Sequence, residues 1–120
     1  MLYPELSNLI IDGVVKVHKA LGCGLLESCY HNALFYELKA AGLKVAYNAP
    51  FNVEYRGESV GEFFADLAVN GKVIIEIKAV RALGPAHEAQ LLNYLHISGC
   101  RLGYLVNFQG QKAVWKRFVV

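Results

Sequence analysis

Residues 73–80 read VIIEIKAV, an apolar run typical of a buried β-strand that is interrupted by Glu76 and Lys78. Burying an unpaired charge costs several kcal/mol, a large part of the stability of a small domain. Residues two apart in a strand share a face, so the two charges lie together while Ile75 and Ile77 share the opposite face. The segment therefore predicts a core strand whose apolar face packs under a helix and whose polar face opens onto a cleft.

Two helices are predicted on the N-terminal side of this strand. Apolar residues recur at helical spacing over residues 6–21, where Ser7 or Asn8 is available as the cap. The GCG sequence at residues 22–24 breaks the pattern, and a second helical pattern follows over residues 25–42. The two helices are expected to form one αα unit.

Strand periodicity takes over near Lys44 and continues to residue 80. Turn residues punctuate it at Asn48–Pro50, Arg56–Gly57 and Asn70–Gly71. Beyond Gly84 the pattern is again helical, and it is followed by two strand-like segments over residues 101–108 and 112–120. The order ααβββ(β)αββ predicts an α/β fold, a mixed sheet flanked by helices.

Length and composition limit the possible classes of protein. A chain of 120 residues fits one domain over 1–120, and 55% hydrophobic against 18% charged residues argues against disorder. No apolar run approaches the roughly 18 residues that a membrane helix needs, so no membrane partner is expected. The N-terminus lacks a basic signal region and the three cysteines show no CxxC spacing, which together favour a cytoplasmic protein.

Charge is distributed unevenly along the chain. Residues 1–60 hold five Lys/Arg and six Asp/Glu, whereas residues 61–120 hold seven and four. The two halves therefore carry formal charges of −1 and +3. A basic half is compatible with a phosphate-bearing partner, although a bias of this size does not by itself identify one.

Asp66 changes the interpretation of Glu76 and Lys78. It interrupts the apolar run of the preceding predicted strand, EFFADLAV, in the same way. Two carboxylates from neighbouring strands beside a lysine form an oxygen-rich site for a hard cation such as Mg²⁺. The alternatives are an exposed pair on an edge strand, or a buried salt bridge between Lys78 and one of the acids.

Two further groups of polar residues lie on the predicted helices. Glu27 and Tyr30 are three apart on one helix face, and Glu27 at the third position after a Gly24 cap would also favour the helix dipole. The second group lies on one face of the last predicted helix. It is explained either as the solvated polar edge of an amphipathic helix, or as an amide and a phenol that hold a phosphate or position a catalytic lysine. This group is His87, Gln90 and Tyr94.

The segments GLLESCY, ADLAVNGKVIIEIKAV, HEAQLLNYL and LGYLVNF, in this order, resemble the GxxExxY proteins, a branch of the PD-(D/E)xK nuclease-like superfamily. The resemblance covers the chain from about Ile10 to Phe118. It implies a restriction-endonuclease-like α/β/α fold with N-terminal helices and an antiparallel meander, followed by a helix and two further strands. Ala65 stands where the superfamily motif has proline.

The resemblance also implies roles for individual residues. Asp66 and Glu76 resemble the metal carboxylates and Lys78 the catalytic lysine. Glu27 resembles the helix-borne acid of the family, and the pair Gln90 and Tyr94 resembles its QxxxY element.

These observations predict a metal-dependent nuclease acting on DNA or RNA. Asp66, Glu76 and the Ile77 carbonyl would hold Mg²⁺ or Mn²⁺, and Glu27 would complete the coordination through water or assist a second ion. Lys78 would orient water or stabilise charge on the phosphorus. The expected substrate contacts come from Tyr30, His87, Gln90 and Tyr94. The alternatives are a non-catalytic nucleic-acid-binding protein with this fold, or an interaction module that forms homo-oligomers through apolar surface.

The site makes a geometric demand on the turn at Asn70 and Gly71. A two-residue hairpin would pair Val69 with Lys72 and place Asp66 on the face opposite to Glu76. We therefore predict a three-residue connection, Val69 to Gly71 with Gly71 left-handed, or else a β-bulge between the two acids.

Overall fold

A computed structural model describes residues 1–120 as three helices and one five-stranded sheet. The helices are α1 (Pro4–Leu21), α2 (Glu27–Ala40) and α3 (Pro85–Ser98), and the strands are β1 (Val45–Tyr55), β2 (Glu58–Val69), β3 (Val73–Lys78), β4 (Leu102–Asn107) and β5 (Val114–Val119). The predicted order of elements is confirmed. None of the helices combines the length and the apolar character needed to cross a membrane.

The sheet has the strand order β1-β2-β3-β4-β5 and is mixed. Strands β3 and β4 pair in parallel, and all other neighbours pair antiparallel. A parallel pair needs a crossover connection, which α3 supplies. Helices α1 and α2 pack against one face and α3 against the other, so the predicted α/β/α arrangement is confirmed.

The larger core lies between the sheet and the α1–α2 pair, on what we call the two-helix face. Fifteen buried apolar and aromatic residues form it, among them Val14, Leu34, Ile75 and Ile77. The two helices approach closely at Gly13, where an added Cβ would lie 2.8 Å from Leu38 Cδ2. The apolar side of VIIEIKAV therefore packs under a helix, as predicted.

The opposite side, which we call the single-helix face, has a smaller core of seven buried residues: Ala49, Ala65, Ala68, Ile74, Leu91, Leu95 and Leu105. Helix α3 lies directly on β4, because an added Cβ at Gly103 would be only 2.9 Å from Leu91 Cδ1. Three of the seven residues are alanines. This core is therefore smaller than the one beneath α1 and α2.

Strand β2 changes its side-chain direction at Asp66. Ala65 and Ala68 pack in the same cluster although they are three apart, while Leu67 belongs to the opposite cluster. The ladder with β1 skips one position here, opposite Asn48, whose φ of 49° is left-handed. The predicted turn at Asn48–Pro50 is thus wrong, because β1 continues through it as an edge strand in which proline is tolerated.

Strands β1 and β2 extend beyond the helices as a hairpin, the β1–β2 arm (residues 52–64). Nearly all of its residues are exposed. Arg56 and Gly57 form its tip with φ values of 53° and 81°, which confirms the turn predicted at these two residues. The molecule as a whole measures 47 Å along its longest axis, against 30 and 25 Å for the other axes.

The starts of the first two helices differ from the predicted ones. Helix α1 begins at Pro4 after a left-handed Tyr3, and Ser7, expected as its cap, is buried within it. Proline suits the first helical position, since its missing N–H would have no partner there. Helix α2 has Leu26 at its N-cap, so Glu27 is the first helical residue and not the third.

Candidate active site

The β2–β3 connection determines which side chains meet at the site. It consists of the three residues Asn70–Lys72, with Val69 paired to Val73 and left-handed φ values of 53° and 65° at Asn70 and Gly71. The predicted three-residue connection is confirmed, displaced by one residue along the chain. In this register Asp66 lies opposite Glu76, and both belong to the single-helix face.

Asp66 ends the ladder between β2 and β3. Backbone pairing stops at Leu67 and Ile75, and beyond it Asp66 Oδ2 accepts a hydrogen bond of 2.7 Å from the Ile77 N–H. On the other side, His31 Nε2 of α2 donates a 2.8 Å hydrogen bond to the Asp66 backbone carbonyl. Both the side chain and the main chain of this acid are therefore fixed.

Glu76 is a buried acid with an unsatisfied oxygen. Its side chain is only 2% exposed, and Oε1 has no hydrogen-bond partner. Burial, followed by the nearby Asp66 carboxylate, raises the pKa of Glu76 to about 9, and the Lys78 charge opposes this shift. Two facing carboxylates with an orphaned oxygen are unfavourable in the absence of a cation.

Lys78 extends toward α3 and forms no salt bridge with either acid. Its Nζ donates a 2.9 Å hydrogen bond to Gln90 Oε1. Tyr94, one turn further along α3, has a raised pKa because of partial burial and the charges of Glu76 and Asp66. The alternative of a buried Lys78 salt bridge is therefore wrong, and α3 positions the lysine through a neutral amide.

The carboxylate pair has the oxygen donors that Mg²⁺ or Mn²⁺ prefers, so the residues fit a divalent cation. No group of three or more His, Cys, Asp or Glu side chains is close enough together to hold a metal ion. Glu27 lies exposed at the start of α2, one turn before His31, and does not join the other two acids. Its expected role, to complete the coordination through water or to assist a second ion, stays a prediction.

A family model for the PD-(D/E)XK nuclease superfamily matches residues 4–118. The chain belongs to this superfamily. The crystal structure of SSO0001 is similar in fold, with a TM-score of 0.62 and 21% sequence identity over 98% of this chain. Our chain spans only 58% of that protein, and no curated protein matches it. The restriction-endonuclease-like fold expected from the sequence is confirmed.

Tyr30 has a structural position within this PD-(D/E)XK fold. It is fully buried, stacks on Phe108 at 4.7 Å, and donates a 2.6 Å hydrogen bond from its hydroxyl to the Gly22 carbonyl. The same hydroxyl accepts from the Leu25 N–H. This corrects the predicted substrate contact, because Tyr30 closes the α1–α2 loop and presents no atom to a substrate.

His87 is at the first turn of α3, where its Nδ1 accepts a 3.0 Å hydrogen bond from the Gly84 N–H. It therefore caps the helix, which leaves only Nε2 for the predicted substrate contact. Gln90 is exposed and Tyr94 half-buried, so both have surface available to a ligand.

Two residues that support the site of this superfamily member were missed by sequence reasoning. His31, which also stacks on Tyr47 at 4.1 Å, connects α2 to Asp66. Asn107 makes two hydrogen bonds to the backbone of Val80. Its Nδ2 donates to the Val80 carbonyl at 2.8 Å, and its Oδ1 accepts from the Val80 N–H at 3.1 Å. The one available signal was Asn107 itself, a polar residue at the end of the apolar segment LGYLVNF.

Proposed function

We propose that the protein is a metal-dependent nuclease of the GxxExxY branch that hydrolyses phosphodiester bonds in DNA or RNA. The observation that carries this proposal is the buried, unpaired oxygen of Glu76 beside Asp66, on the face to which Lys78 also projects. An orphaned buried carboxylate is costly to the fold, which favours a functional reason for its presence.

Three groups of the chain would hold Mg²⁺ or Mn²⁺: the carboxylates of Asp66 and Glu76 and the Ile77 carbonyl. The Lys78 carbonyl accepts from the Phe108 N–H on the β4 side, so the Ile77 carbonyl points the other way, toward the end of β2. When bound, the cation supplies Lewis acidity to the phosphate and lowers the pKa of water.

Lys78 is the residue of the chain that acts on the reacting atoms. Its ammonium group orients the attacking water and stabilises negative charge that develops on the phosphate. Gln90 Oε1 accepts a hydrogen bond from the Lys78 ammonium and fixes the direction of the flexible side chain. Glu27, at the positive end of α2, would complete the coordination through water or assist a second ion.

The charges around the site favour a nucleic-acid substrate. Arg81 is exposed three residues beyond Lys78, where the chain leaves the carboxyl end of β3. Phosphate contacts of this kind position a strand without reading its sequence. We expect affinity to fall as salt rises, with little sequence preference.

The proposal is tested with purified protein, single-stranded and duplex DNA and RNA, and Mg²⁺ or Mn²⁺. Wild type should cleave at least one substrate, while Glu76→Gln, which keeps the size of the side chain, should lose cleavage and Mn²⁺ binding measured by calorimetry. Equal cleavage by both proteins would indicate a contaminating nuclease and reject the proposal. Binding without cleavage in wild type would favour the non-catalytic alternative.

A further inference from the structure

A cleft of about 400 Å³ lies between the β1–β2 arm and α3. Phe63 lines it on the arm side, and Gln90, Asn93 and Tyr94 line it on α3 together with small and apolar side chains. Gln90 and Tyr94 also belong to the candidate active site, so the cleft is continuous with that site. Its size is within the range of pockets that bind small organic groups.

Phe63 is the aromatic residue that the arm contributes to this cleft. It shares its direction with Ala65 of the single-helix face, and 44% of the residue is exposed. The ring lies over Gly61, where an added Cβ would be 3.2 Å from Phe63 Cε2. Phe64 is 51% exposed but points to the opposite side of the strand.

We propose that this cleft binds an unpaired nucleobase of a single-stranded nucleic acid, next to the phosphate that is cleaved. The inference rests on the proposed function, which places that phosphate beside Lys78. Phe63 is the stacking surface, since every base has a π-face that packs on an aromatic ring. The base must be unpaired, because a base stacked within a duplex offers no free face.

The polar groups of the cleft suit the edge of a base. Gln90 uses its carbonyl oxygen for Lys78 and directs its NH₂ group toward the Tyr94 hydroxyl. An NH₂ group has two N–H donors, so the second is left to donate to a ring nitrogen or an exocyclic oxygen of a base. Asn93 is exposed one turn away and offers both a donor and an acceptor. Together they supply hydrogen bonds beside the apolar ring.

The charges of the β1–β2 arm indicate which part of the nucleotide it recognises. The arm has three glutamates, Glu54, Glu58 and Glu62, and a single arginine, Arg56. An acidic arm repels phosphate groups. The sugar–phosphate backbone is therefore expected to run along the basic edge at Lys78, with the base pointing into the cleft.

The test compares Phe63→Ala with Phe64→Ala, a matched control of the same residue type and similar exposure on the other side of the strand. Binding of a fluorescent oligothymidylate is measured by anisotropy in EDTA, so that cleavage does not interfere. Phe63→Ala should weaken binding about 5- to 160-fold, the range of a lost base stack, whereas Phe64→Ala should bind like wild type. Phe63→Trp should keep wild-type affinity.

A second measurement uses oligothymidylates in which one base at a time is removed. Wild type should lose affinity at one position, and Phe63→Ala should be insensitive to base removal at that position. Equal affinities of the two Phe→Ala variants, or a wild type indifferent to every missing base, would overturn the base site. If wild type still cleaves nucleic acid in that case, the proposed nuclease activity stands without the base site. If the base-binding results are as expected but wild type does not cleave, only the proposed nuclease activity is overturned.

Discussion

The two faces of the sheet differ in what they bury. The two-helix face holds fifteen buried apolar and aromatic residues, whereas the single-helix face holds seven, three of them alanine, together with Asp66, Glu76 and Lys78. Small side chains under α3 leave room for a buried carboxylate, whereas the buried polar residues of α1 are Ser7 and His18. The comparison suggests that stability depends mainly on one face and chemistry on the other.

The largest expected effect is the loss of activity on the single-helix face without loss of stability. Lys78→Ala should lower cleavage by about 10²- to 10⁴-fold, because a group that transfers or orients protons in the transition state is removed. The thermal midpoint should change little, since Lys78 is half-buried and its only side-chain bond is to Gln90. Lys72→Ala is the matched control and should remain active, because Lys72 lies just before β3, at the opposite end of the strand from Lys78.

The second prediction compares two fully buried leucines on opposite faces. Leu34→Ala on the two-helix face should cost about 2–5 kcal/mol in the free energy of unfolding measured with urea. Leu91→Ala, on the inner side of α3, should cost less, because the smaller cluster beside an open cleft collapses more easily. Equal losses would mean that the two layers contribute alike and would break the comparison.

The third prediction concerns pH and Glu76. Its folded pKa is raised to about 9 from 4.5, so the folded state binds more protons and this acid stabilises the metal-free protein most below pH 4.5. Stability should therefore fall as pH rises toward 9, by at most about 1.4 kcal/mol per pH unit from this group. Urea unfolding at several pH values should show this slope in wild type and not in Glu76→Gln.

Added Mg²⁺ provides a check on this prediction. A cation binds the ionised acids, so it should flatten the slope in wild type while leaving Glu76→Gln unchanged. If the free energy of unfolding had the same pH dependence in the two metal-free proteins, Glu76 would titrate at its ordinary pKa and its ionised form would carry no burial penalty.

The smallest expected effect comes from His31, which reaches from the two-helix face to the site. His31→Ala should lower activity about 10- to 100-fold, the usual loss when a residue that orients a metal-binding acid is removed. His31→Gln, whose amide can still donate to the Asp66 carbonyl, should recover part of the activity. A loss of stability as large as that of Leu34→Ala would instead assign His31 to the core.

The sequence predicted the order of elements and the common face of the three central polar residues because both follow from local periodicity. A carboxylate within an apolar strand can be recognised from the sequence alone. The odd number of residues in the Asn70–Lys72 connection then places Asp66 on the same face as Glu76. The contacts of His31 and Asn107 were not visible, since they join segments 35 and 27 residues apart.

Two local patterns were misleading for physical reasons. Asn48 and Pro50 are turn formers, but pairing with β2 carries β1 through them, so tertiary context overrode their propensity. Tyr30 was expected to contact the substrate beside Glu27, yet it is buried and stacks on the distant Phe108. In both cases the decisive partner lies in a distant segment of the chain, beyond the reach of a periodicity argument.

Pro50 has a consequence for self-association. It lies in the edge strand β1 and has no N–H to offer, and left-handed Asn48 bends the backbone close to it. At the other edge β5 carries adjacent Lys116 and Arg117. Interrupted donors on one edge and like charges on the other both discourage another strand from joining the ladder. Despite its high apolar content, the chain is therefore protected against amyloid-like growth along its sheet.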